Sequence, residues 1–64
     1  MILRFTTKRD TNGNRKCLVI DTELKKAQRG YNFRYACDFI EIKKADRDRI
    51  LKLLEIDGYT IENI

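Results

Sequence analysis

Hydrophobic and polar positions alternate over the first third of the chain, on either side of a polar break. Residues 2–8 and 16–22 read as strands, and Asn12-Gly13 between them is the strongest short-range signal for a β-hairpin. Placing Asn12 and Gly13 at the two central positions of a type I′ turn pairs Thr11 with Asn14. Phe5 then faces Ile20, Thr7 faces Leu18 and Arg4 faces Asp21. That register gathers Leu3, Phe5, Leu18 and Ile20 on one face as a candidate core. Arg4, Thr6, Lys8, Cys17, Val19 and Asp21 fall on the other, with Arg4 and Asp21 as a cross-strand ion pair.

Residues 24–30 are polar and basic and carry no period; a turn or one irregular helical turn is expected there. Alternation returns at Tyr31, Phe33, Tyr35, Cys37 and Phe39, then passes to the opposite parity at Ile40 and Ile42. A strand cannot hold both sets on one face without a bulge. We therefore expect a loop or edge segment over 31–35, an irregularity near 36–38 and a third strand at about 37–43.

Residues 45–56 follow a helical period. Measured from Ile50 at about 100° per residue, Leu54, Leu51 and Leu53 share an apolar arc, with Asp48, Arg49, Lys52 and Glu55 opposite. Asp48 and Lys52 have the favourable acid-before-base spacing, and Asp46 and Asp48 suit the first turn. Asp57-Gly58 ends the helix, with Gly58 as the residue just past its cap. A final strand is expected at about 59–63. The order β-β-(irregular)-β-α-β predicts one small two-layer α+β domain over residues 1–64, its single helix packed on an antiparallel or mixed sheet.

A chain of 64 residues has room for one thin core, burying only about 60% of its unfolded surface. With 42% hydrophobic and 38% charged residues, it suits a folded domain with a solvated surface. The longest apolar run, Cys17-Leu18-Val19-Ile20, is far short of the roughly 20 residues of a bilayer span. No membrane contact is expected, and the cytoplasm is the expected compartment. Cys17 and Cys37 are then reduced and act as small apolar residues.

The chain has no His, no Ser and no Cys-x-x-Cys spacing. It cannot supply four N/S ligands to zinc, nor a Ser-His-Asp or Cys-His catalytic set. Cys37 beside Asp38, and Tyr31 or Tyr35 near Arg34, lack any base, oxyanion donor or pocket that the sequence can locate. A non-enzymatic protein is expected, with no catalytic residue, cofactor, metal or small-molecule substrate.

Val19-Ile20-Asp21-Thr22-Glu23 resembles the first metal-binding motif of the exonucleases that use four acidic residues and two Mg²⁺ ions. The resemblance implies carboxylates that hold both metals around a phosphoryl centre. It covers five residues, and the remaining acidic motifs of that much larger α/β fold have no room here. Asp21 is therefore read as the partner of Arg4. Asp10, Asn12 and Asn14, with Asp21 at the twelfth position, share the spacing of a calcium loop. Arg15 occupies the sixth position, where the loop's sharp turn needs glycine.

Charge changes the picture most. There are 14 Lys and Arg against 10 Asp and Glu, a net of +4, and nine of the cations but only four of the acids lie in residues 1–38. Lys8, Arg9, Arg15 and Lys16 flank the hairpin tip. Lys25, Lys26, Arg29 and Arg34 are interleaved with Tyr31, Phe33 and Tyr35. A twisted ribbon with a cationic tip fits a groove of duplex nucleic acid; cations beside aromatic faces fit single strands. Charged tips also discourage edge-to-edge association, so the same residues serve solubility. The leading expectation is a nucleic-acid-binding module using Lys8, Arg9, Arg15, Lys16, Lys25, Lys26, Arg29, Tyr31 and Arg34. The alternative is a protein-interaction module or homodimer that uses an exposed strand edge and the Tyr/Phe segment.

Overall fold

The computed structural model of the chain describes residues 1–34 and 38–64. Strands β1 (Ile2–Thr6), β2 (Lys16–Asp21) and β3 (Lys26–Tyr31) form an antiparallel meander. Two short edge strands flank it, β4 (Ile40–Glu41) parallel to β1 and β5 (Thr60–Asn63) parallel to β3. The sheet order is β4-β1-β2-β3-β5, and helix α1 (Lys44–Ile56) connects the two edges. The expected small α+β domain with an N-terminal hairpin is the observed architecture.

The hairpin register differs from the type I′ expectation by two residues. Phe5 faces Leu18, Leu3 faces Ile20 and Arg4 faces Val19. Asp10 sets the turn: its Oδ1 accepts from Asn12 N at 2.8 Å and Asn14 N at 3.0 Å, and its carbonyl accepts from Gly13 N. Gly13, at φ +79°, supplies the left-handed residue that closes such a three-residue loop. One residue of slip arises there. A second arises at Lys8–Arg9, an extra residue opposite Arg15, before Thr7 N donates to Lys16 O. Two odd slips preserve parity, so the side chains of the paired residues keep their expected faces. The Arg4–Asp21 pair is lost, because Asp21 now lies opposite Ile2.

Leu18, Ile20, Ala27 and Leu51 form the buried core, with Leu3, Phe5, Ile50, Leu54, Tyr59 and Ile61 packed around them. Leu53, placed on the apolar arc by the helical period, is 59% exposed. The helix rests on a narrower arc than its leucines suggest, and Leu53 lies about 100° or more from that arc's centre. Gly58 takes φ +83° and ends the helix as expected.

Strand β3 replaces the irregular segment expected over 24–30. Its sequence lacks hydrophobic alternation because little room faces it: Ala27 packs against the core, and Gly30 lies under the Phe33 ring. Pairing to β2 and β5 on both sides makes it a strand despite poor propensity. The third strand expected at 37–43 is regular only at Ile40–Glu41, with Ile42 N still donating to Thr6 O. The Tyr31 end of the expected 31–35 segment belongs to β3. Tyr35, Ala36 and Cys37, with most of the expected irregularity, lie outside the described residues.

On the face away from the helix, Thr6, Cys17 and Gly30 form one buried row. Phe33 lies against Gly30 and meets Phe39 edge-on, with ring centroids 6.3 Å apart. The opposite end of this face, around Ile2 and Val19, is open. No helix among the described residues is long and apolar enough to cross a membrane.

A Cβ on Gly30 would sit 2.7 Å from Phe33 Cε1 and 2.7 Å from Ile64 O. Gly30→Ala should therefore destabilise the domain by about 1–3 kcal/mol through overpacking. An unchanged denaturant midpoint would mean that Phe33 does not close this end of the sheet.

Candidate anion-binding site

The hairpin tip, the end of β3 and the start of α1 meet at one end of the sheet. Ile42 pairs with Thr6, so the chain enters the helix beside the tip. Lys8 and Lys16 come from the hairpin, and Lys43 and Lys44 from the helix start. These four lysines line a groove of about 770 Å³.

Three carboxylates share the groove: Asp10, Glu41 and Asp46. Asp10 is committed to the turn, and Asp46 lies 3.8 Å from Arg49 Nη1. The helix begins at Lys43 without a side-chain cap. Its first N–H groups have no intrahelical partner, and the helix dipole is positive there. Lysine at this position neither caps those groups nor offsets the dipole.

Arg47 adds to the positive end. It is 8% exposed, and its Nε has no hydrogen-bond partner among the described residues. Its nearest counter-charge is Asp48, at 3.5 Å from Nη1 and itself 59% exposed. Arg47 and Arg29 line a second, smaller recess of about 310 Å³ with Tyr31 and Asn63. Arg29 is oriented by its neighbour across the sheet, Nε donating to Asn63 Oδ1.

Lys16 registers this crowding. Lys44 competes with it donor to donor, partial burial adds to the effect, and the charges of Lys44 and Arg47 repel its proton. Together they hold its pKa below the ordinary 10.5, with Asp48 opposing.

Of the residues singled out from the sequence, the fold brings Lys8, Lys16, Arg29 and Tyr31 to this end. Arg9 turns back onto the loop, Nη1 donating to Gly13 O at 2.9 Å. Arg15 is half-buried, and its N donates to Asn32 Oδ1. Lys25 and Lys26 sit at the β2–β3 turn, roughly 17–20 Å away at the other end of six-residue strands. The two basic clusters are therefore not one surface. Arg34 is exposed on the segment after Phe33.

The acidic motif is also accounted for. Asp21 Oδ1 accepts from Glu23 N and Leu24 N and shapes the β2–β3 turn.

Lys43, Lys44 and Arg47 were not expected from the sequence, because their half of the chain carries slightly more acids than cations. A signal was present: on the helical wheel Arg47 falls at about 60°, between Leu54 and Leu51. An arginine inside an apolar arc is a buried cation in need of a partner.

No protein-family model, curated protein or solved structure matches this chain.

Because Lys16 holds its proton less tightly folded than unfolded, crowding costs stability at neutral pH. The cost is relieved as pH rises through its lowered value towards 10.5. Replacing Lys44 with Gln should move the Lys16 ionisation back towards its ordinary value, read by NMR at its Nζ or Cε. An unmoved titration would show that the two ammonium groups do not interact.

Proposed function

We propose that the domain binds nucleic acid, chiefly through backbone phosphates laid along the lysine groove between the hairpin tip and the start of α1. One observation carries this reading. Lys43 and Lys44 stand at the positive end of the helix dipole, lining one groove with Lys8 and Lys16, and Arg47 follows them in the first turn beside the second recess. The dipole alone disfavours those cations, which suit a helix C-terminus, and Asp46 is the acidic residue of that turn that offsets them. A polyanion turns the arrangement into a favourable one, because phosphates meet both the ammonium groups and the free helix N–H groups. Tyr31, 60% exposed and paired with Lys16 across the sheet, offers an aromatic face to an unstacked base.

A second reading uses the other face. Ile2 and Leu24 are 49% and 67% exposed and border a shallow depression with Val19, a surface suited to a protein contact. The Tyr/Phe segment contributes less to it, because Phe33 is engaged with Phe39 and Gly30.

Binding to fluorescent single- and double-stranded oligonucleotides, titrated with salt, tests the first reading. Log affinity should fall linearly with log salt. The double change Lys16→Glu, Lys44→Glu should weaken binding by roughly tenfold or more and flatten the salt slope by about two phosphate contacts. Lys25→Glu, Lys26→Glu, with the same change in net charge, should do much less. Equal losses from the two pairs would reduce the interaction to net charge and overturn the assignment to the groove. A partner lost on Ile2→Asp, with little salt dependence, would favour the second reading.

A further inference from the structure

We propose that the recess between the first turn of α1 and the ends of β3 and β5 seats a single phosphate group, held by the guanidinium groups of Arg47 and Arg29. The inference rests on the nucleic-acid reading only for the source of that phosphate. The seat follows from the recess itself, where Arg29 and Arg47 are the charged side chains and Gly30, Tyr31, Asn63 and the main chain of Ile64 complete the lining.

The first argument is desolvation. Arg47 loses nine-tenths of its side-chain exposure, yet its counter-charge is a solvent-facing carboxylate 3.5 Å from Nη1, at the outer limit of a hydrogen bond, and its Nε is unpartnered among the described residues. A buried guanidinium in this state is only partly compensated. Its other charged neighbours add to the cost of burial: Arg29 shares the recess, and Lys16 and Lys44 stand nearby. An anion between the arginines supplies the missing term.

Geometry selects the kind of anion. Asn63 fixes Arg29 through its Nε and leaves its terminal nitrogens free among the described residues. Two guanidinium groups thus line one space of about 310 Å³. A tetrahedral oxyanion can accept from both forks at once, whereas a halide offers one centre and a carboxylate one plane. Tyr31 stands at the rim and lies opposite Lys16, so the recess and the lysine groove are neighbouring stations for successive phosphates of one strand.

The test uses the Nε–Hε NMR signals of Arg47 and Arg29 in the intact chain. Inorganic phosphate should move both signals saturably, with chloride and acetate at matched ionic strength leaving them nearly in place. Phosphate should also raise the thermal midpoint of the unaltered protein but not that of Arg47→Met. Should Arg47→Met fail to fold, Arg29→Gln gives the same comparison without touching the buried residue. Loss of either arginine should weaken phosphate binding by roughly tenfold or more.

A second arm identifies the source. An oligonucleotide without a terminal phosphate that moves the Arg47 signal assigns the seat to a backbone phosphodiester. A response confined to 5′-phosphorylated nucleotides and free phosphate assigns it to a terminal phosphate; either result supports the seat. Arginine signals unmoved by phosphate, or moved equally by chloride, overturn it, even if oligonucleotides bind the lysines. Saturable phosphate binding without oligonucleotide binding keeps the seat and removes the nucleic-acid reading.

Discussion

Strand β2 is covered on both faces, and the rest of the molecule is arranged to cover it. Leu18 and Ile20 look to the helix; Cys17 looks the other way, beside Thr6 and Gly30, and both Leu18 and Cys17 are fully buried. Few side chains achieve this in so small a chain, so each covering element matters. Leu51 closes one face, and the Phe33–Phe39 pair closes one end of the other. The constraint passes outward from there. Phe33 can approach only because residue 30 has no side chain, and β3 can be built from Lys, Ala, Gln, Arg, Gly and Tyr only because β2 and β5 hold it.

The core also fixes where the cations go. Burying Ile50, Leu51 and Leu54 against the sheet sets the rotation of α1, and that rotation turns Arg47 inward. Pairing Ile42 with Thr6 sets the axial position, so Lys43 and Lys44 arrive beside Lys8 and Lys16. The accumulation of positive charge is thus a consequence of packing. Its electrostatic cost falls on an uncapped helix terminus, where a solvating carboxylate or hydroxyl would otherwise be the stabilising choice.

The sequence carried the face of each hairpin residue and the position of the helix, because hydrophobic burial imposes periods of 2.0 and 3.6 that survive local detail. It did not carry the register. One residue of the slip depended on the Asp10 carboxylate capturing two backbone N–H groups and the other on the extra residue at Lys8–Arg9, neither of which Asn12-Gly13 alone announces. Strand β3 was hidden for a related reason: its buried positions are Ala27 and Gly30, small residues that betray close neighbours only once the neighbours are known. Half of the candidate site was legible as well. Lys8 and Lys16 stood out beside the turn and Arg29 and Tyr31 in the basic segment, but neither cluster's chain-local charge foretold that Lys25 and Lys26 would lie at the far end. The helix contribution was masked by averaging, since Asp46, Asp48 and Glu55 cancel the cations in number but not in position.

The hairpin tip is also less free than its charge and glycine suggest. Asn32, in a left-handed conformation, donates from its Nδ2 to Asn14 Oδ1, accepts from Arg15 N and donates its own N–H to Arg15 O. These bonds tie the tip to the end of β3, and Ile42 N donating to Thr6 O ties the hairpin to the chain entering the helix, so the backbone carrying Lys8 and Lys16 is fixed beside the helix start. A preorganised cluster loses little side-chain and loop freedom on binding, which leaves more of each contact available as affinity. The mutual repulsion that depresses the Lys16 ionisation is present in the free protein, and an anion placed among these cations would reduce it. Because the cations come from the hairpin, β3 and the helix, they meet only in the folded chain. An anion bound to that cluster would therefore be coupled to folding, and a domain with so thin a core would gain from that linkage.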